Sequence, residues 1–100
     1  MEVTINNEGE KTFVTLDGRI DTTNADQFQA DIQPLMASEK PDITIDCTKM
    51  TYTSSQGLRL FLMLQKSVLA RGGKMVLTGM NPQVKEVFDI TGFSNIIAIR

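Results

Sequence analysis

The chain has 100 residues, 41% hydrophobic and 22% charged, which suits one soluble domain with a modest core. Its formal net charge is −2, and no two of its ten lysines and arginines are adjacent, so the basic stripe of a general nucleic-acid binder is excluded. It has no histidine for a Ser-His or Cys-His nucleophile pair, and a lone Cys47 excludes an internal disulfide or a cysteine-rich zinc site.

Val3 and Ile5 alternate with polar neighbours, predicting an edge strand over residues 2–6. Asn6-Asn7-Glu8-Gly9 is turn chemistry, and Val14, Leu16 and Ile20 mark one face of a second strand interrupted at Asp17-Gly18. These two runs predict an antiparallel hairpin. The polar, alternating N-terminal stretch is unlike a signal peptide, and the longest apolar run, residues 60–64, is far too short for a membrane span. A cytoplasmic chain is therefore expected, with no membrane contact.

Asp21-Thr22-Thr23-Asn24 signals a helix start, with Thr23 and Asp26 spaced as a loose capping box. Ala25, Phe28, Ile32 and Leu35 follow at helical spacing. Pro34 removes a backbone donor and crowds the carbonyl of Ala30, so a kink or a fresh short turn is expected there. A third strand is predicted over 42–47, closed by a buried Cys47. A second helix over 55–71 is stopped by Gly72-Gly73, with Gly72 suited to the left-handed position after the helix. The apolar run Met75-Val76-Leu77 predicts a strand, and Asn81-Pro82 opens a third helix with Val84, Val87 and Phe88 inward and Gly92 as its stop. A last strand is predicted over 96–99.

The order β-β-α-β-α-β-α-β implies a single α/β domain: a mixed sheet with an N-terminal β-hairpin followed by alternating α-β units. Five hydroxyl side chains, from Thr51 through Tyr52 and Thr53 to Ser54 and Ser55, would then crowd the junction between the third strand and the second helix. Three chemistries compete for them. The first is plain capping of orphan N–H groups. The second is a nucleophile elbow, disfavoured because Thr53 stands where the first glycine belongs and no histidine can act as base. The third is phosphoacceptance: with Ser54 as cap, Ser55 takes the first helical position, where a phosphate would meet the helix's positive end.

The second helix carries more apolar residues than one face needs. Leu58, Phe61, Leu62, Val68 and Leu69 account for a core face. Leu60, Met63 and Leu64, interleaved with Arg59 and Lys66, either flank that core or form a partner-facing patch.

Several stretches together resemble the STAS domain of bacterial anti-sigma factor antagonists. They are Leu16-Asp17-Gly18-Arg19-Ile20-Asp21, Ile45-Asp46-Cys47-Thr48, Tyr52-Thr53-Ser54-Ser55-Gln56-Gly57-Leu58, Arg71-Gly72-Gly73-Lys74, Asn81-Pro82-Gln83-Val84-Lys85-Glu86-Val87-Phe88 and Thr91-Gly92-Phe93. The resemblance implies a non-enzymatic regulator that binds an anti-sigma factor, usually a serine kinase, and is released when that kinase phosphorylates one serine at the start of the second helix. A phosphatase would restore it. By position the acceptor is Ser55, with Asp21, Ser54, Gln56 and Gly57 around it and Arg59, Leu60, Met63 and Lys66 facing the partner. Ser54 stands where the family carries aspartate, which keeps a good cap, removes a charge and makes Ser54 a second possible acceptor. The chain itself would need no metal or cofactor, because ATP and Mg²⁺ come with the kinase. The alternative is a STAS interaction module that is not phosphorylated, or one that binds a small anionic ligand at the same helix end.

Overall fold

The computed structural model describes residues 1–36 and 39–100. Its elements follow the expected alternation: β1 (Glu2–Glu8), β2 (Lys11–Ile20), α1 (Ala25–Ile32), β3 (Asp42–Thr53), α2 (Ser55–Ala70), β4 (Lys74–Thr78), α3 (Pro82–Ile90) and β5 (Ala98–Ile99). Two 3₁₀ turns, Gln33–Met36 and Phe93–Asn95, are interposed. The first is the fresh turn that Pro34 demands, and it still delivers Leu35 to the core.

The five strands lie in sequence order, β1 antiparallel to β2 and all the others parallel. Right-handed crossovers that always step the same way put every helix on the same face of the sheet. The burial pattern agrees. Val14, Leu16, Ile43, Ile45, Met75 and Leu77 are buried, while the alternate residues Thr15, Thr44, Asp46, Val76 and Thr78 are only partly covered. Phe61 at the middle of α2 touches Phe28 of α1 and Phe88 of α3, with ring centroids 5.5 and 5.7 Å apart, and ties the helical layer together.

Several expectations are corrected. Asn6 and Asn7 are not a turn: they pair with Phe13 and Thr12, and the chain reverses only at Gly9-Glu10, with Gly9 at φ 62°. The capping box does not form. Asn24 is the residue before α1 and its side chain makes no cap bond, because Asn24 Oδ1 accepts from the Asp21 N–H instead. Thr23 is likewise drawn away, since its N–H and hydroxyl both donate to Asp21 Oδ1, a charged and therefore stronger acceptor. The last strand shrinks to two residues because Ile96 and Ile97 both donate back to the Phe93 carbonyl, at 3.0 and 2.8 Å, which prolongs the turn that follows Gly92 (φ 80°). Ile97 still reaches the core while Ile96 is half exposed.

The correction that matters most concerns β3, which continues past Cys47 to Thr53. Only Asp42 to Asp46 pair with β4. Beyond that, the only strand β3 pairs with is β2, through register shifts at Thr15/Asp17 and Gly18/Arg19, where Gly18 sits at φ 116°. Asn81 Nδ2 supports this overhang from the other side by donating to the Met50 carbonyl at 3.1 Å. Of the five hydroxyl residues, three therefore lie in the strand, and only Ser54 and Ser55 lie at the junction.

Candidate phosphoacceptor site

The site is built where the ends of β2 and β3 meet the start of α2. Parallel pairing sets Arg19 beside Tyr52 and Ile20 beside Thr53, and the Ser54 N–H then donates to the Ile20 carbonyl at 2.9 Å. The chain turns into the helix there. Ser54 has extended backbone angles, φ −84° and ψ 172°, and its Oγ accepts from the Gly57 N–H at 3.3 Å while its carbonyl accepts from Leu58 N–H at 3.0 Å. Ser54 is the N-cap, half-buried and occupied.

Gly57 has a steric reason. A Cβ there would overlap Thr53 Oγ1 and approach Ile20 Cγ2 to 3.0 Å, so the first turn of α2 rests directly on the two strand ends. Thr53 is buried, with its hydroxyl donating to the Ser54 carbonyl at 3.2 Å, and Thr51 donates to the Gly18 carbonyl at 3.2 Å. Both hydroxyls are structural. Ser55 differs from all of these: it opens the helix, is exposed, and its Oγ has no hydrogen bond to any described residue.

Asp21 lies just past β2, next to this junction, and its carboxylate is fully engaged. Oδ1 accepts from the Thr23 hydroxyl and from the Thr23 N–H at 2.9 Å, and Oδ2 is 3.0 Å from Arg19 Nε. The Thr23 hydroxyl, then its N–H, hold the Asp21 carboxyl below the usual range, with Arg19 adding to them. Arg19 also lies over the Tyr52 ring, 5.3 Å from its centroid. Tyr52 was expected only as one of the junction hydroxyls and Arg19 not at all, so their stacked pair was not foreseen. Only the β2–β3 register reveals them, and no local motif encodes that register.

A cleft of about 180 Å³ runs between the starts of α1 and α2, lined by Ala25, Asp26, Gln29, Gln56, Arg59 and Leu60. Arg59 and Lys66 are exposed on α2, while Leu60 and Met63 are half-buried. The expected core face of α2 is corrected at Leu62, Leu64 and Leu69, and it gains Gln65. Leu64 is fully buried and Leu69 is 57% exposed, so Leu64 belongs to the core and Leu69 to the surface. The buried stripe is Gly57, Leu58, Phe61, Leu64, Gln65 and Val68, which keeps a strict helical period, and Leu62 only flanks it. A wider groove of about 900 Å³ at the opposite end of the sheet, around Gly9, Pro41, Asp42 and Lys74, contains none of these residues. Among the described residues, no cluster of acidic or cysteine side chains could hold a metal ion, and no helix is long and apolar enough to cross a membrane.

Comparison with known proteins supplies the family. The STAS domain model matches residues 2–100. The chain is 32% identical over 83 residues to the anti-sigma-B factor antagonist of Listeria monocytogenes, covering 83% of this chain and 73% of that protein. It is 33% identical over 86 residues to the anti-sigma-B factor antagonist of Bacillus subtilis, covering 86% of this chain and 78% of that protein. Its fold is similar to an anti-sigma factor antagonist from Mycobacterium paratuberculosis, with a TM-score of 0.86 at 17% identity, covering 98% and 83% of the two chains. It is also similar to the phosphorylated form of the Bacillus cell fate determinant SpoIIAA, with a TM-score of 0.72 at 19% identity, covering 99% and 91%. A helix start seated on two strand ends, spanned from end to end by that family match, makes this chain a member of the STAS domain family, in its anti-sigma factor antagonist branch.

Proposed function

We propose that this protein is a cytoplasmic switch that binds an anti-sigma factor with serine kinase activity and is released when that kinase phosphorylates Ser55. One observation carries the choice of residue. Ser54 Oγ is committed to the Gly57 N–H, whereas Ser55 Oγ is exposed and unbonded at the first position of α2. Phosphorylating Ser54 would dismantle the cap, at a cost of about 1 kcal/mol. Phosphorylating Ser55 leaves the cap intact and sets the new charge at the helix's positive end, which favours it by roughly 0.3–1 kcal/mol. The partnership itself is supported by the relatives named anti-sigma-B factor antagonists at 32% and 33% identity.

The logic of the switch is an asymmetry of costs. The phosphate adds about −1.5 to −2 charges, which the isolated domain accommodates easily. Carried into a closed interface without a partner, the same charge costs several kcal/mol, and each 1.4 kcal/mol is about tenfold in affinity. The docking surface is the outward side of α2, where Arg59, Leu60, Met63 and Lys66 lie beyond Ser55. The chain supplies only the acceptor oxygen. The kinase brings ATP and Mg²⁺, and a phosphatase reverses the modification.

A pull-down with the cognate anti-sigma factor tests this. Ser55→Ala should bind like the native protein and Ser55→Asp at least about tenfold more weakly. Peptide mapping after incubation with kinase and ATP should place the phosphate on Ser55. Equal binding of Ser55→Asp and Ser55→Ala would leave an interaction module with no charge switch.

A further inference from the structure

Ser55 and Arg59 are both exposed and stand four residues apart on α2, the spacing at which helical side chains meet. No acidic residue lies in the first turn of α2, and Arg59 has no ion-pair partner among the described residues. Its side chain instead lines the cleft between α1 and α2, where it is the one cation and Asp26 the one anion. Arg19, at the end of β2, is already committed, paired to Asp21 at 3.0 Å and stacked over Tyr52. A phosphate at Ser55 therefore has one uncommitted guanidinium within a helical turn. Guanidinium is also the side-chain group best matched to phosphate oxygens.

We propose that Arg59 transmits the state of Ser55 to the adjoining cleft: the phosphoserine draws the guanidinium into a four-residue pair and leaves Asp26 as the cleft's only charge. The inference rests on Ser55 being the acceptor. With Ser55 unmodified, the cleft is charge-balanced, and a partner group entering it meets both signs. With Ser55 phosphorylated, the same group meets an anionic cleft beside an anionic helix start. Arg59 acts here as a positioning residue and takes no part in phosphoryl transfer.

The test installs phosphoserine at position 55 during translation, so no kinase is needed, and follows the phosphate by ³¹P NMR in native, R59Q and R59K backgrounds. The second ionisation of the phosphate should lie about 0.3–0.5 pH unit lower in the native background than in R59Q. R59K should recover part of the difference, and high salt should shrink it. The side-chain amide signals of Gln29, across the cleft, should move between unmodified and phosphorylated protein in the native background and stay in place in R59Q. Identical phosphate titration in native and R59Q protein would overturn the pairing. Gln29 signals that move equally in both backgrounds would overturn the transmission. If a cognate kinase fails to modify Ser55, the acceptor assignment fails while these measurements still report on the pair.

Discussion

Two adjacent serines with the same side chain are given different work by one turn of backbone. Ser54 adopts extended angles before the helix and spends its oxygen on the Gly57 N–H, and Ser55, one residue later, faces solvent with its oxygen free. Stability measurements should separate them. Ser54→Ala should lower unfolding free energy by about 1 kcal/mol, and Ser54→Asp should restore it, since the two residues cap about equally well. Ser55→Ala should change it by no more than about 0.5 kcal/mol, as expected of an exposed position with no bond to lose. Urea denaturation of the three variants checks both statements. An equal loss at the two positions would contradict the division of roles. The pairing of serines was visible in the sequence as a cap followed by a candidate acceptor. Asp21 was visible as a neighbour, but its engagement by Thr23 and Arg19 was not, because a carboxylate in a turn has several acceptable donors and only the fold selects among them.

At the scale of one element, α2 shows how far periodicity can be pushed. Its apolar residues exceed what one face can bury, so a list of leucines does not identify the core stripe; the angle set by Gly57 against Thr53 and Ile20 does. Once that close approach fixes the helix's rotation, Leu64 turns fully inward and Leu69 outward. Leu64→Ala should therefore cost about 2–5 kcal/mol, the usual range for emptying a core leucine site. Leu69→Ala should cost no more than about 0.5 kcal/mol. Chemical denaturation of both variants decides between this stripe and one that places Leu69 in the core. The other elements were easier. Pro34, Gly72 and Asn81-Pro82 carry local stereochemistry strong enough to survive any packing, and each ends or begins an element where its backbone preference requires.

For the whole molecule, the sheet is a one-sided platform with three helices on one face, and its buried centre includes Cys47 of β3. Burial pushes the Cys47 thiol up to about 12, with the neighbouring Asp46 charge adding to it. The thiol is fully enclosed, so it should resist a thiol-reactive reagent at mildly alkaline pH and react fully once denaturant opens the core. Stoichiometric labelling of the folded protein would show that the centre is not closed. What the sequence determined by itself is everything governed by local period and backbone stereochemistry: the alternation of strands and helices, the hairpin, the proline turn, the left-handed helix stops and the cap-plus-serine at the head of α2. Tertiary structure alone decided what depends on strands far apart in the chain. It carried β3 past Cys47 to Thr53, because β3 bulges twice, taking up one extra residue each time, and so stays paired with β2. That long-range register brought Arg19 and Tyr52 together. The physical reason is that pairing energy is collected between partners separated by some thirty residues (Arg19 and Tyr52 among them), and such partners leave no mark on each other's local pattern.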